Sequence, residues 1–202
     1  MKKIFILFFS LSAYFCTAQN KSDIINPNTP LVWLGCDFSN ARFTKKEEFT
    51  NLDQILRFFV DNNEIVKNAA PFEQVSNRLK RDVIKDFSFV TDQNALVDWH
   101  QVYSDDVDYK LSDETIQKII EALKVDQQKY KDNIGLVFCE ENISKTKTRA
   151  NIAVVFFRIN DLKPLLIKHV SYAPKGYGFM NYWSYPNRQA MWYLRDIIKE
   201  LK

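Results

Sequence analysis

The clearest pattern of hydrophobic and polar positions is an alternation with a period of two between positions 150 and 172. The segment 150–159, ANIAVVFFRI, carries apolar side chains on both faces, and the segment 164–172, PLLIKHVSY, alternates apolar with polar side chains. Asn160 and Asp161, residue types that favour turns, lie between the two segments. The pattern predicts two antiparallel strands joined by a tight turn, with one face of the second strand exposed to solvent.

Three further segments predict strands of the same sheet. Apolar side chains alternate from Val32 to Phe38 within the segment 31–43, whose first residues are apolar on both faces. Such a strand is expected at the centre of a sheet or between covering helices. The apolar run 134–141 predicts another strand, and two alternating phenylalanines predict a short strand at 86–91.

Four segments carry apolar residues at helical spacing: 51–67, 72–84, 113–124 and 187–201. Ser112 is a favourable N-cap for the third of these helices, and Pro186 suits the first turn of the last one. The predicted fold class is therefore α+β or α/β. It consists of a mixed sheet of about five strands packed with about four helices, the last being a C-terminal amphipathic helix.

The first 18 residues have the features of a signal peptide. Lys2 and Lys3 precede an apolar stretch at positions 4–15, which is shorter than the ~20 residues that a membrane span needs. Cleavage after Ala18 leaves 19–30 as a polar leader and 31–202 as a single globular domain without a transmembrane span. Lipid attachment at Cys16 is the alternative, but a bulky phenylalanine precedes it where a small residue is expected. A periplasmic or secreted protein is the favoured prediction.

The charge of the chain argues against nucleic-acid binding. The formal net charge is +3, and Lys2 and Lys3 account for two of these charges, so the mature chain carries +1. A nucleic-acid-binding surface needs a concentration of basic side chains. No such concentration is evident, and nucleic acid is not an expected partner.

Two cysteines remain after signal removal, and their state is open. Cys36 and Cys139 both lie in predicted strands, so an oxidising compartment permits a disulfide between them. The alternative is a pair of buried free thiols, since cysteine is among the most buried residue types.

Candidate chemistry is sparse, and the sequence predicts no cofactor and no metal site. His100 and His169 have no cysteine or acid at ligand spacing. Glu140 and Glu141 are adjacent on a predicted strand and are expected to point to opposite faces. Three aspartates at positions 105, 106 and 108 could gather around calcium, but their spacing does not match an EF-hand loop. Asp37, an acid inside an apolar strand, is interpreted as a strand-end residue that bonds the following turn. The sequence therefore favours a protein without catalytic activity.

The strongest candidate for function is an aromatic corner between positions 176 and 185. Gly176 and Gly178 flank Tyr177, and Tyr182, Trp183 and Tyr185 follow. Exposed tyrosine and tryptophan side chains are favoured at interfaces. The competing interpretation is that these rings pack the last helix against the sheet.

This corner also carries a resemblance. The run Gly178-Phe179-x-Asn181-Tyr182-Trp183, placed after two strands and before an amphipathic helix, resembles the C-terminal half of uncharacterised exported envelope proteins of Gram-negative bacteria. The predicted arrangement is more distantly similar in fold to the N-terminal domain of the Tol-type translocation protein. These resemblances name no activity.

The expected function is a non-catalytic envelope protein that binds a protein partner through the corner or the exposed strand 164–172. The first alternative is a small-ligand or carbohydrate-binding domain that uses the aromatic residues at 177–193. The second is a hydrolase with a site assembled by the fold, for which Asp37 is the candidate acid.

Overall fold

The computed structural model describes residues 20–49, 52–69, 76, 77, 79 and 81–202. The strands in this part of the chain are β1 (Leu31–Asp37), β2 (Arg42–Thr44), β3 (Val83–Lys85), β4 (Tyr103–Ser104), β5 (Ile134–Ser144), β6 (Arg149–Arg158) and β7 (Lys163–Tyr172). The helices with complete bounds are α1 (Lys21–Ile25), α2 (Leu52–Lys67), α3 (Ser88–Asn94), α4 (Asp113–Ala122) and α5 (Phe179–Glu200). Short 3₁₀ helices span Lys46–Glu48 and Trp99–Gln101.

The long strand β5 organises the sheet. β6 pairs antiparallel along one edge of β5, while β1 pairs parallel with its first half and β2 parallel with its second half on the other edge. β3 extends β1, β4 extends β2, and β7 pairs antiparallel with β6. The seven strands thus form a mixed sheet five strands wide, which confirms the predicted fold class.

The centre of the sheet is buried on both faces. Every residue of β5 is buried, and Gly135 lies so close to the ring of Phe157 that a Cβ there would be 2.3 Å from its Cζ. α2 and α5 cover the face that carries Glu140, and α4 lies on the opposite face. None of the helices in the described ranges is both long and apolar enough to cross a membrane.

The segment predicted as a strand at 86–91 is instead the start of α3, and the strand precedes it at Val83–Lys85. The side chain of Asp86 accepts a hydrogen bond from the Ser88 hydroxyl at 2.6 Å, which begins a turn. Phe87, Val90 and Asn94 are buried, and their spacing of three and four places them on one helical face. Phe87 and Phe89 alternate as they would in a strand, but the helical spacing covers a longer segment, from Phe87 to Asn94.

The last helix begins eight residues earlier than predicted, at Phe179 with Gly178 as its N-cap. Pro186 therefore lies inside α5 rather than in its first turn. A proline there removes the amide that would donate to the carbonyl of Tyr182. Most of the segment interpreted as a corner thus forms the first two turns of α5.

The remaining helix predictions have mixed outcomes. α2 and α4 confirm the helices predicted at 51–67 and 113–124, and the Ser112 hydroxyl caps α4 by accepting from the Thr115 amide at 3.1 Å. Of the helix predicted at 72–84, positions 76, 77 and 79 are helical, positions 72–75, 78 and 80 lie outside the described residues, and the last two positions belong to β3. Within the predicted leader, α1 buries Ile24 in the core.

Candidate functional site

The turn between β7 and α5 depends on its two glycines. Gly176 has φ of +121° and Gly178 has φ of +74°. Residues with side chains rarely adopt these conformations, whereas glycine does so at little cost. The turn lifts Tyr177 away from the protein, and 96% of that residue is exposed.

The aromatic residues that follow divide between the core and the surface. Trp183 is 2% exposed, and its ring lies 6.4 Å from that of Phe49. Tyr182 packs edge-on against Trp183, with 5.1 Å between ring centroids and an interplanar angle of 88°. Phe179 contacts the ring of Phe58 at 5.7 Å. Trp183 therefore packs α5 onto the core, and its ring faces are largely covered.

A shallow notch of about 350 Å³ lies beside this turn. Its lining residues are Lys145, Gly176, Gly178, Phe179, Tyr182 and Trp183. Tyr185 does not line the notch. Its ring lies near two cations, the Lys175 ammonium at 5.7 Å and the Arg188 guanidinium at 5.4 Å from the centroid. The structure thus brings Tyr182 and Trp183 together and places Tyr177 and Tyr185 apart from them.

β7 forms one edge of the sheet. It pairs with β6 along its length, and no other strand of the described chain pairs with it. Eight of its ten residues are partly exposed, including the run from Pro164 to Val170. Lys168, near the middle of β7, is held by Glu200 of α5 at 2.9 Å.

Cys36 and Cys139 are buried free thiols in this structure. Cys36 is in register with Phe138, and the next residue, Asp37, is in register with Cys139. Consecutive residues of a strand point to opposite faces, so the two thiols lie on opposite sides of the sheet. Burial raises the pKa of both thiols well above the ordinary value.

Two carboxyl groups are buried in the sheet without a cationic partner. Glu140 is 1% exposed, and burial raises its pKa from 4.5 to about 8, although a hydrogen bond from Asn187 opposes the shift. Among the described residues, Oε1 of Glu140 and Oδ1 of Asn187 have no hydrogen-bond partner. Burial likewise raises the pKa of Asp37 from 3.8 to about 6. Glu140 and Asn187 were not identified as site residues from the sequence. The available signal was the position of Glu140, an acid inside an apolar strand.

The neighbouring acid, Glu141, has a different environment, as predicted for adjacent residues of a strand. Its Oε1 accepts a hydrogen bond from the Leu111 amide at 2.8 Å and lies 2.9 Å from Nδ1 of His169. The alternation of side chains along β5 directs Glu141 to the face opposite Glu140, and a bulge interrupts the β5–β6 pairing between Glu140 and Asn142. Burial raises the pKa of Glu141, and His169 opposes the shift. The pair orients a partly exposed histidine.

The acidic loop after β4 is held by local contacts. Asp106 accepts a hydrogen bond from the Asp108 amide at 3.0 Å, and Asp108 pairs with Lys147 at 3.5 Å. Within the described ranges, no three histidine, cysteine or acidic side chains are grouped so that they could hold a metal ion.

Comparison of the chain with known protein families, characterised proteins and solved structures finds no match.

Proposed function

We propose that this chain is an exported envelope protein that binds an extended segment of a partner protein along β7. The observation that carries the proposal is the ten-residue outer edge of β7, to which the described chain supplies no pairing strand. An edge strand presents a row of N–H and C=O groups that can pair with a strand from another chain.

The side chains of β7 support this use of its edge. Lysines on an edge strand commonly discourage pairing with other chains. In β7, Lys168 lies on the face of the sheet that α5 covers, where it pairs with Glu200, and Lys163 lies at the first position. The central residues of the strand therefore leave the edge open to an incoming segment.

The exposed ring of Tyr177 supports the same proposal. It follows β7 by five residues and is 96% exposed. Tyrosine is enriched among the residues that dominate binding energy at interfaces, because it combines apolar area with a hydroxyl. We assign backbone pairing to β7 and a side-chain contact to Tyr177.

Site-specific photo-cross-linking in cells that produce the protein tests the proposal. A cross-linker at Ser171, an exposed position of β7, and one at Tyr177 are expected to give an adduct of the same discrete mass. The matched control is Val60 on α2, which is 56% exposed and is expected to give no such adduct. A folded protein that gives the same adducts from all three positions, or none, contradicts the proposal.

Two proline variants separate strand addition from a simple surface contact. The N–H groups of consecutive strand residues point to opposite edges, so only one of Ile167→Pro and Lys168→Pro removes an N–H from the outer edge. That variant is expected to fold and to lose the adduct, since proline is tolerated on a free edge. The other is expected to break the β6–β7 pairing. If the folded variant keeps the adduct, strand addition is wrong.

Export is tested separately by mass spectrometry of the protein recovered from the producing cells. The proposal expects a chain that begins at Gln19 without lipid. A lipid-modified chain that begins at Cys16 would favour the alternative, and an intact Met1 would contradict export.

A further inference from the structure

A cavity of about 460 Å³ lies beside the carboxyl end of β1, away from β7 and the aromatic residues of α5. Small-molecule sites of roughly 300–1,000 Å³ are common, and in open α/β sheets they lie outside the carboxyl ends of the strands. The cavity has an apolar wall that includes Leu96, Val97 and Ile119, and a polar wall that includes Ser39, Asn40 and Gln93.

Two asparagines fix the backbone that leads into the polar wall. Asn63 of α2 accepts from the Cys36 amide at 2.7 Å and donates to the Cys36 carbonyl at 2.9 Å. Asn94 of α3 accepts from the Phe38 amide at 2.7 Å and donates to the same carbonyl at 3.0 Å. All four contacts are buried, so they hold the segment after β1 in one position.

The Ser39 hydroxyl is the centre of the polar wall. It donates to Oδ1 of the buried Asp37 at 2.6 Å. It accepts from Nε2 of Gln93 at 3.0 Å and from Nδ2 of Asn40 at 3.1 Å. A hydroxyl has one donor and two acceptor sites, so these three bonds saturate it. Ser39 therefore positions the two amides and has no site left for a ligand.

The amides retain unused hydrogen-bonding capacity. Oε1 of Gln93 is buried and has no hydrogen-bond partner among the described residues. An amide also carries two N–H donors, and Ser39 uses one from Gln93 and one from Asn40. The remaining amide N–H donors of the polar wall match a neutral ligand rich in hydroxyl groups, because a hydroxyl oxygen accepts hydrogen bonds.

Two charged side chains of opposite sign, Lys118 and Asp98, line the cavity, and both contact other protein groups. Lys118 of α4 pairs with Glu114 at 2.7 Å. Asp98 accepts from the His100 amide at 2.9 Å and from Nε2 of Gln101 at 3.0 Å. The cavity therefore favours a neutral ligand over an ionic one. Leu96, 84% exposed at the rim, suits a ligand with an apolar face.

We propose that this cavity binds a neutral, hydroxyl-bearing small molecule of the monosaccharide class. Gln93 and Asn40 bond its hydroxyl groups, and the apolar wall contacts the C–H face of its ring. Ser39, held by Asp37, is a positioning residue. This site is independent of the partner-binding edge of β7.

Nuclear magnetic resonance titration with D-glucose, D-galactose and D-mannose tests the proposal. At least one sugar is expected to shift the side-chain amide signals of Gln93 and Asn40 saturably at millimolar concentration. D-gluconate and D-glucosamine, the charged probes, are expected to bind at least about tenfold more weakly. No saturable shift with any of the three sugars, shifts centred on Tyr182, or tighter binding of a charged probe would overturn it.

Single substitutions test which residues contact the sugar. Gln93→Leu is expected to weaken binding about tenfold, the loss of one or two neutral hydrogen bonds. Ser39→Ala is expected to weaken binding and Ser39→Thr to restore it, because threonine keeps the hydroxyl. Ala122→Phe, a change at an exposed lining position, is expected to block the cavity without entering the core. Ser171→Ala is the control with unchanged affinity. A folded Ala122→Phe protein with unchanged affinity contradicts the site.

Discussion

The buried carboxyl of Glu140 makes a sharp prediction about stability and pH. Its pKa is raised from 4.5 to about 8 in the folded protein by burial, so between these values the folded state holds a proton that the unfolded state releases. The unfolding free energy therefore falls as pH rises through this window. Replacing Glu140 with glutamine removes the titrating group and keeps its size. It also supplies an N–H donor near the unpaired Oδ1 of Asn187.

The magnitude follows from the size of the shift. Each pKa unit corresponds to about 1.4 kcal/mol, so the carboxyl costs the wild-type protein about 4–5 kcal/mol above pH 8. Between pH 6 and pH 8 the wild-type protein is expected to lose about 2 kcal/mol more than Glu140→Gln. The second buried acid, Asp37, has a pKa of about 6 and is half ionised at the start of this interval, but it is present in both proteins, so its contribution cancels in the comparison.

Urea denaturation from pH 5 to pH 8.5, with unfolding free energies for both proteins, measures the difference. The two stabilities are expected to converge towards pH 5 and to diverge as pH rises, with the variant the more stable protein. Glu141→Gln is the matched control, because that carboxyl bonds the Leu111 amide and faces His169; its loss is expected to destabilise the protein. If the curves of wild type and Glu140→Gln run parallel from pH 6 to pH 8, the reasoning about burial is refuted.

Two further predictions concern packing and backbone geometry. Trp183→Ala is expected to lower the unfolding free energy by about 3–5 kcal/mol because it empties a buried aromatic site. Tyr177→Ala is expected to change it by less than about 0.5 kcal/mol. Chemical denaturation compares the two variants, and equal losses would contradict the division between core and surface. Gly35→Ala is expected to cost more than Gly178→Ala. Both glycines have positive φ, but only at Gly35 would a new Cβ meet a neighbour, the side-chain oxygen of Asn63 at 2.7 Å. The same denaturation assay measures the difference, and a Gly178→Ala loss as large as that of Gly35→Ala would refute the close contact.

The local periodicity of the sequence determined much of the fold. β6 and β7 follow from the alternation between positions 150 and 172, and α2 and α4 follow from apolar residues at helical spacing. These patterns were sufficient for the fold class, because a strand with period two and a helix with period 3.6 must each bury an apolar face. They also indicated that Glu140 and Glu141 face different environments.

Tertiary contacts decided the elements whose local pattern was ambiguous. At α3, an Asp86–Ser88 turn and the burial of Val90 and Asn94 outweighed two alternating phenylalanines. At α5, packing of Phe179 and Trp183 against other rings accompanies a helix that runs through Pro186. A short window of sequence around α3 or α5 does not contain the distant residues against which that helix packs.

The candidate sites depended still more on long-range proximity. Ser39 meets Gln93 across 54 positions of sequence, and Glu141 meets His169 across 28. Hydrogen bonds and desolvation act over a few ångströms in space, whatever the separation along the chain. Sequence therefore supplied the residue types and their strands and helices, while the folded chain determined which polar groups met and which carboxyls were left buried without a cationic partner.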